Sequence, residues 1–130
     1  LKEAERLTMS IPGCVIVSGD TPKKERERIL EMFKVGEIPV VANVGVLTTG
    51  FDYPELDTVV MARPTMSLAM YYQIVGRCIR PHKDKEAAWF VDLCGNINRF
   101  GEVSDLHLKD TGNGKWAVFS RGRQLTNVRF

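Results

Sequence analysis

At 130 residues, 44% apolar and 26% charged, the chain has an ordinary globular balance and enough length for one hydrophobic core. That composition excludes disorder, collagen and coiled coil, and no apolar run reaches the roughly 20 residues of a membrane-spanning helix. The net charge of +2 is too small to announce a nucleic-acid partner, although residues 109–130 hold five basic groups against one acidic.

The chain does not begin with Met, and residues 1–6 are charged and helical where a secretory signal would be apolar. A fragment of a longer protein is the expectation. Residues 14–17 (Cys-Val-Ile-Val) predict a short buried strand closed by Ser18-Gly19. Thr21 is expected to cap a helix with Pro22 at its first position. Residues 23–34 carry Ile29, Leu30 and Phe33 on one stripe and predict an amphipathic helix that stops near Gly36. A second strand is expected at 38–42, with Pro39 at its edge or start. The polar connector 43–50 contains a short apolar stretch, 44–47, that predicts one helical turn.

Residues 57–62 predict a third strand, Pro64 breaks the chain, and Ser67 is expected to cap a helix running from Leu68 toward Arg77. A fourth strand is expected at 87–92. After Gly95 the rhythm changes: a helical turn at 96–99, a hairpin-like turn at 111–114 and a short strand at 116–119. Apolar strands alternating with helices imply an α/β layer fold with a mostly parallel sheet covered on both faces. The expected division is a domain over 1–94 and an accessory extension over 95–130. Phe33, Met61, Trp89 and Phe90 are expected in the core. Trp116 and Tyr72 suit either amphipathic packing or base stacking.

Three cysteines, Cys14, Cys78 and Cys94, lack any Cys-x-x-Cys spacing, and neither His82 nor His107 has a second ligand nearby. They read as free core thiols in a reducing, cytoplasmic compartment, with no metal site and no membrane. In open parallel sheets ligands bind at the carboxyl ends of the strands. Ser18-Gly19, the segment from Asn43 to Asp52, and Arg63-Pro64-Thr65 all fall there. The helix after Ser67 delivers Gln73, Gly76, Arg77 and Arg80. Arginines three apart project from one side of a helix and can fork N–H donors onto a polyphosphate, or can equally cap a helix C-terminus. Thr48, Thr49, Gly50 and Asp52 combine hydroxyls, close backbone approach and a carboxylate suited to phosphate and ribose, or to an ordinary turn.

Taken in order, Ser18-Gly19, Glu25-Arg26, Thr48-Thr49-Gly50-Phe51-Asp52 and Gln73-Ile-Val-Gly76-Arg77-Cys-Ile-Arg80 resemble the second RecA-like domain of superfamily 2 helicases. Within that group the chain is most similar to DEAD/DEAH-type DNA helicases of the RadD-like and phage repair kind. The resemblance covers about residues 14–94 and implies a RecA-like three-layer sandwich. It implies an ATP-dependent motor in which Arg77 and Arg80 are arginine fingers and Gln73 positions the γ-phosphate. Gly50, Asp52 and Gly76 would then face the nucleotide, and Ser18, Gly19, Asn43, Thr48 and Thr49 a nucleic-acid backbone. Asn43 stands where many relatives have Ser or Thr. Ile74 replaces a basic residue common in RNA-directed branches, which favours DNA over RNA. No Gly-x-x-x-x-Gly-Lys-Ser/Thr loop or Mg²⁺-binding Asp-Glu pair occurs. ATP and Mg would therefore be held mainly by an N-terminal RecA-like domain of the same parent chain, and the fragment alone would be inactive. The rival expectations are a non-catalytic nucleic-acid-binding or interaction module of the same fold, and an enzyme binding a small nucleotide within this domain alone. The second lacks any glycine-rich phosphate loop.

Overall fold

A computed structural model describes residues 1–47 and 51–128, with the backbone alone for 126–128. The chain forms two compact units, Leu1–Tyr53 and Pro54–Phe130. Among the described residues no helix is long and apolar enough to cross a membrane.

The first unit runs α1 (Lys2–Ser10), β1 (Cys14–Val17), α2 (Lys23–Lys34) and β2 (Val40–Asn43). β1 and β2 pair in parallel, Cys14 opposite Val40 and Val17 opposite Asn43. Side chains alternate across a strand, so Val15 and Val17 reach one face together. There they pack with Ile29, Met32 and Phe33 of α2 and with Ile38 and Val41. Gly13 enters β1 at φ +77°, and a Cβ there would lie 2.8 Å from Pro39 Cγ, so only glycine fits both the backbone and the space. Pro39 stands one residue ahead of β2, where its missing N–H costs no ladder bond.

Two expectations are corrected here. Pro22 occupies the cap position of α2 and the Thr21 hydroxyl does not cap it. Thr21 Oγ1 instead accepts from the Ser18 N–H at 3.0 Å, closing the turn that ends β1. Nor do residues 44–47 form a helical turn. Asn43 Oδ1 accepts from the N–H groups of Val46 and Leu47 at 3.0 and 3.1 Å, a side-chain turn that competes with the helical alternative.

The second unit runs β3 (Thr58–Met61), α3 (Leu68–Cys78), β4 (Trp89–Asp92), α4 (Asn96–Phe100), a 3₁₀ turn (Val103–Asp105), β5 (His107–Gly112), β6 (Lys115–Ser120) and β7 (Arg123–Val128). β3 and β4 are parallel, and β5-β6-β7 is an antiparallel meander. Ser67 caps α3 as expected, its Oγ accepting from the Met70 N–H at 3.2 Å. The core gathers Met61, Tyr71, Val75 and Phe100, with Phe90, Val103 and Leu125 packed against it. Tyr71 is 1% exposed. Its ring stacks on Phe100 with centroids 5.1 Å apart and meets the edge of Phe90 at 6.0 Å. Its hydroxyl donates to the Gly101 carbonyl at 2.8 Å. Burial, then the charges of Asp92 and Glu102, push the Tyr71 phenol above its ordinary pKa.

Met61 lies in the core as expected, and Phe33 and Phe90 are half-buried. Trp89 does not: it is 66% exposed. In β4 the alternation turns Phe90 toward Tyr71, which sends Trp89 and Val91 to the other face.

Candidate functional site

In the first unit the strand ends are built by short-range bonds. After β1, Ser18 is buried, its Oγ accepting from the Asp20 N–H at 3.3 Å and its carbonyl from the Thr21 N–H at 3.1 Å. Gly19 is exposed, and nothing lies within 4 Å of where its Cβ would be. Ser18 therefore shapes the turn, and Gly19 is the residue whose backbone a ligand could approach. After β2, exposed Asn43 spends its Oδ1 on the following loop, while the Val44 N–H donates to the Val17 carbonyl at 2.8 Å. Thr48, Thr49 and Gly50 lie outside the described residues.

The chain resumes at Phe51, which is buried, and Tyr53, which meets the edges of Phe33 and Phe51 with centroids 5.8 and 6.2 Å away. The Tyr53 hydroxyl donates to the Lys34 carbonyl at 3.2 Å. These aromatic anchors bracket Asp52 and leave it exposed. An open cavity of about 370 Å³ lies between this segment and α2, lined among others by Arg26, Leu30, Lys34, Val46, Phe51 and Asp52.

In the second unit the helical period sorts α3 into faces. Tyr71, Val75 and Cys78 point into the core. Gln73 and Arg77, spaced four apart, share the opposite side, and Arg80 follows just beyond the helix end. Gln73 is exposed, and both arginines are half-buried with their Nε atoms buried. Gly76 lies beside them with open space where its Cβ would stand. Gln73, Gly76 and Arg77 are thus brought together on one helix, and Arg80 follows two residues after its end; Asp52, Ser18, Gly19 and Asn43 belong to the other unit.

Both ends of α3 are tied by residues that motif reading passes over. At its entrance, fully buried Asn96 accepts on Oδ1 from the Thr65 N–H at 2.9 Å and from Arg99 Nη1 at 3.3 Å. Its Nδ2 donates to the Arg63 carbonyl at 3.1 Å and to Asp92 Oδ1 at 2.8 Å. Burial alone would raise the Asp92 carboxyl. Hydrogen bonds from the Ile97 N–H, the Asn96 side chain and the Cys94 N–H outweigh it and hold the group below the ordinary carboxylate value. At the exit of α3, Lys85 Nζ donates to the carbonyls of Cys78 at 2.8 Å, Pro54 at 2.9 Å and Leu56 at 3.1 Å. Just before it, His82 lies 3.5 Å from Glu55 and 3.8 Å from Asp84. A lysine in a polar loop shortly after a helix end is the only sequence signal these ties leave.

Cys78 is fully buried, and burial pushes its thiol up. Among the described residues no group of three His, Cys, Asp or Glu side chains could hold a metal ion.

The helicase conserved C-terminal domain family matches residues 2–82. A Saccharomyces cerevisiae protein named as a candidate ATP-dependent helicase, IRC3, is 38% identical over 79 residues, 61% of this chain and 12% of its own length. A 51.5 kDa protein of a Lactococcus phage is 34% identical over 104 residues, 78% of this chain and 23% of its own. The ATP-dependent RNA helicase DBP3 of Gibberella zeae is 32% identical over 93 residues, 68% of this chain and 16% of its own. This chain thus spans less than a quarter of each of these relatives. Its fold is similar to the solved C-terminal domain of the DEAD-box protein Dbp5, with a TM-score of 0.55 at 23% identity, over 69% of this chain and 52% of that one. Two parallel βαβ units of RecA-like fold, one of them carrying the Gln73–Arg80 face, accord with these likenesses: the chain belongs to the helicase conserved C-terminal domain family.

Proposed function

We propose that the chain is the second motor domain of an ATP-dependent superfamily 2 DNA helicase or translocase of the RadD-like and phage repair kind. In this reading Arg77 and Arg80 complete a triphosphate site whose floor belongs to an N-terminal RecA-like domain of the parent chain. The observation that carries it is the placing of Gln73 and Arg77 on one side of α3 with Arg80 just past its end, within the segment that the helicase family matches. Guanidinium groups of a helix held at both ends suit the charge that develops on a phosphoryl group in flight, and ATP supplies that group when bound. Gln73 orients it. Gly76 leaves room for close approach, and exposed Asp52, beside Gly50, serves the ribose or couples it to the arginines.

Mg is assigned to the N-terminal domain, because the described residues here offer no cluster of metal ligands. The fragment alone is then inactive. Ser18, Gly19, Asn43, Thr48 and Thr49 serve the nucleic-acid backbone, with Gly19 its most accessible member. Ile74 supports a DNA track, while the fungal RNA helicase among the relatives makes RNA the competitor to be tested. Functionally, residues 1–94 form the motor part and 95–130 an accessory extension. The free cysteines suit a reducing, cytoplasmic setting.

The test is Arg77→Ala in the full-length protein. Nucleic-acid binding stays near normal, and stimulated ATP hydrolysis falls by about 10³–10⁵, as for other arginine fingers. Near wild-type turnover refutes the reading. Single-stranded DNA, duplex DNA and RNA of one sequence, compared as stimulators, decide the track; stimulation by RNA alone refutes the DNA assignment.

A further inference from the structure

We propose that Lys85 is a positioning residue for the arginine pair, an inference that rests on the nucleotide reading of Arg77 and Arg80. An ammonium has three protons and no acceptor. Here all three find backbone carbonyls, those of Cys78, Pro54 and Leu56, at 2.8–3.1 Å. The last carbonyls of a helix have no partner within it, and a cation there also meets the negative end of the helix dipole. Cys78 is the last residue of α3, and it stands between Arg77 and Arg80. Lys85 therefore fixes the 78–79 peptide, which lies on the backbone between the two arginines. It pins that peptide to the 54–56 segment that leads into β3, whose Met61 packs on Tyr71 and Val75 of the same helix. Held from the core side by Tyr71, Val75 and Cys78 and at its end by Lys85, α3 has little freedom to rotate its arginine face.

The experiment uses the full-length protein, ATP, and whichever nucleic-acid probe above stimulates most. Lys85→Met removes all three donors at similar length. Misplacement of a catalytic group by about 1 Å costs on the order of 100-fold. The expected result is therefore a kcat about 10- to 100-fold lower, with KM for ATP and nucleic-acid affinity within about twofold, since fingers act on the transition state. In a background lacking both fingers, Arg77→Ala with Arg80→Ala, Lys85→Met adds less than about twofold, because residues acting through one another are not additive. Should Lys85→Met fail to fold, Lys85→Arg takes its place: a planar guanidinium cannot converge on three carbonyls as an ammonium does, so kcat falls at unchanged Tm. Full kcat in the substituted protein, or the same fold loss in both backgrounds, overturns the proposal. Arg77→Ala with normal turnover refutes the nucleotide reading and this inference with it. An inactive Arg77→Ala beside a fully active Lys85→Met refutes the positioning role alone.

Discussion

Two asparagines, one closing β2 and one following β4, serve the turns of the two units and do different work. Asn43 is exposed, and among the described residues its side chain bonds to Val46 and Leu47, three and four residues away. Asn96 is fully buried and joins Arg63, Thr65, Asp92 and Arg99, reaching back as far as 33 residues. The first kind of turn is assembled by its own neighbours, and its Val46 and Leu47 rest on the core of the first unit. The second is a cross-tie: opening it strands several buried polar groups at once, so the β3–α3 loop is held as firmly as the core beside it. On the proposed reading this division is functional. Loops that must release and regrip a polymer are held locally, and the helix that must present charge at a fixed point is held from a distance.

The comparison can be tested by breaking each side. The largest effect is expected from Tyr71→Ala, which empties the core of the second unit and costs about 3–5 kcal/mol in urea unfolding. Asn96→Ala is expected to cost about 2–3 kcal/mol, because it leaves buried partners unsatisfied. Asn43→Ala is expected to cost less than about 1 kcal/mol, its partners turning to water. Equal costs at the two asparagines would erase the distinction. Tyr71→Phe keeps the ring and loses one bond to Gly101, for about 1 kcal/mol.

Acid sharpens the contrast further. The folded Asp92 carboxyl lies below its unfolded value of about 3.9, so its contribution is fully present above that value and is lost as pH falls through the lower, folded one. Urea midpoints measured from pH 6 down to pH 2 are expected to drop in that window, and Asp92→Asn to remove part of the drop. An unchanged acid limb in Asp92→Asn would show that the Asn96 turn does not depend on the charge.

Much of this architecture was legible in the residues. The four parallel strands and the two long helices are marked by apolar runs, period and punctuation, and Ser67 declares its cap. Boundaries moved by one or two residues, by two where a run was apolar but unpaired: residues 38–39 and 87–88 precede β2 and β4. The meander was half hidden. β5 is exposed throughout and β7 is largely polar, so neither shows the alternation that betrays a half-buried strand; both form by pairing with β6. Trp89 misled because hydrophobicity alone does not say which face a residue joins. The arginine face could be read from spacing, but Asn96, Asp92 and Lys85 could not, since polar ties between distant segments leave no periodic trace. Among the residues resembling the helicase motifs, Ser18 and Asn43 proved to be shapers of their own turns.

Gly101 sits at φ +84°, where a Cβ would collide with Ser120 Oγ, and its carbonyl receives the Tyr71 hydroxyl. That one junction makes the meander a structural creditor of α3 and not a detachable tail. A shortened protein ending before Asn96 would lose Phe100, Val103 and Leu125 from that core and uncover the face of Tyr71 stacked on Phe100, together with its hydroxyl. Anyone trimming the chain to its helicase-like portion should expect a sticky, poorly folded product.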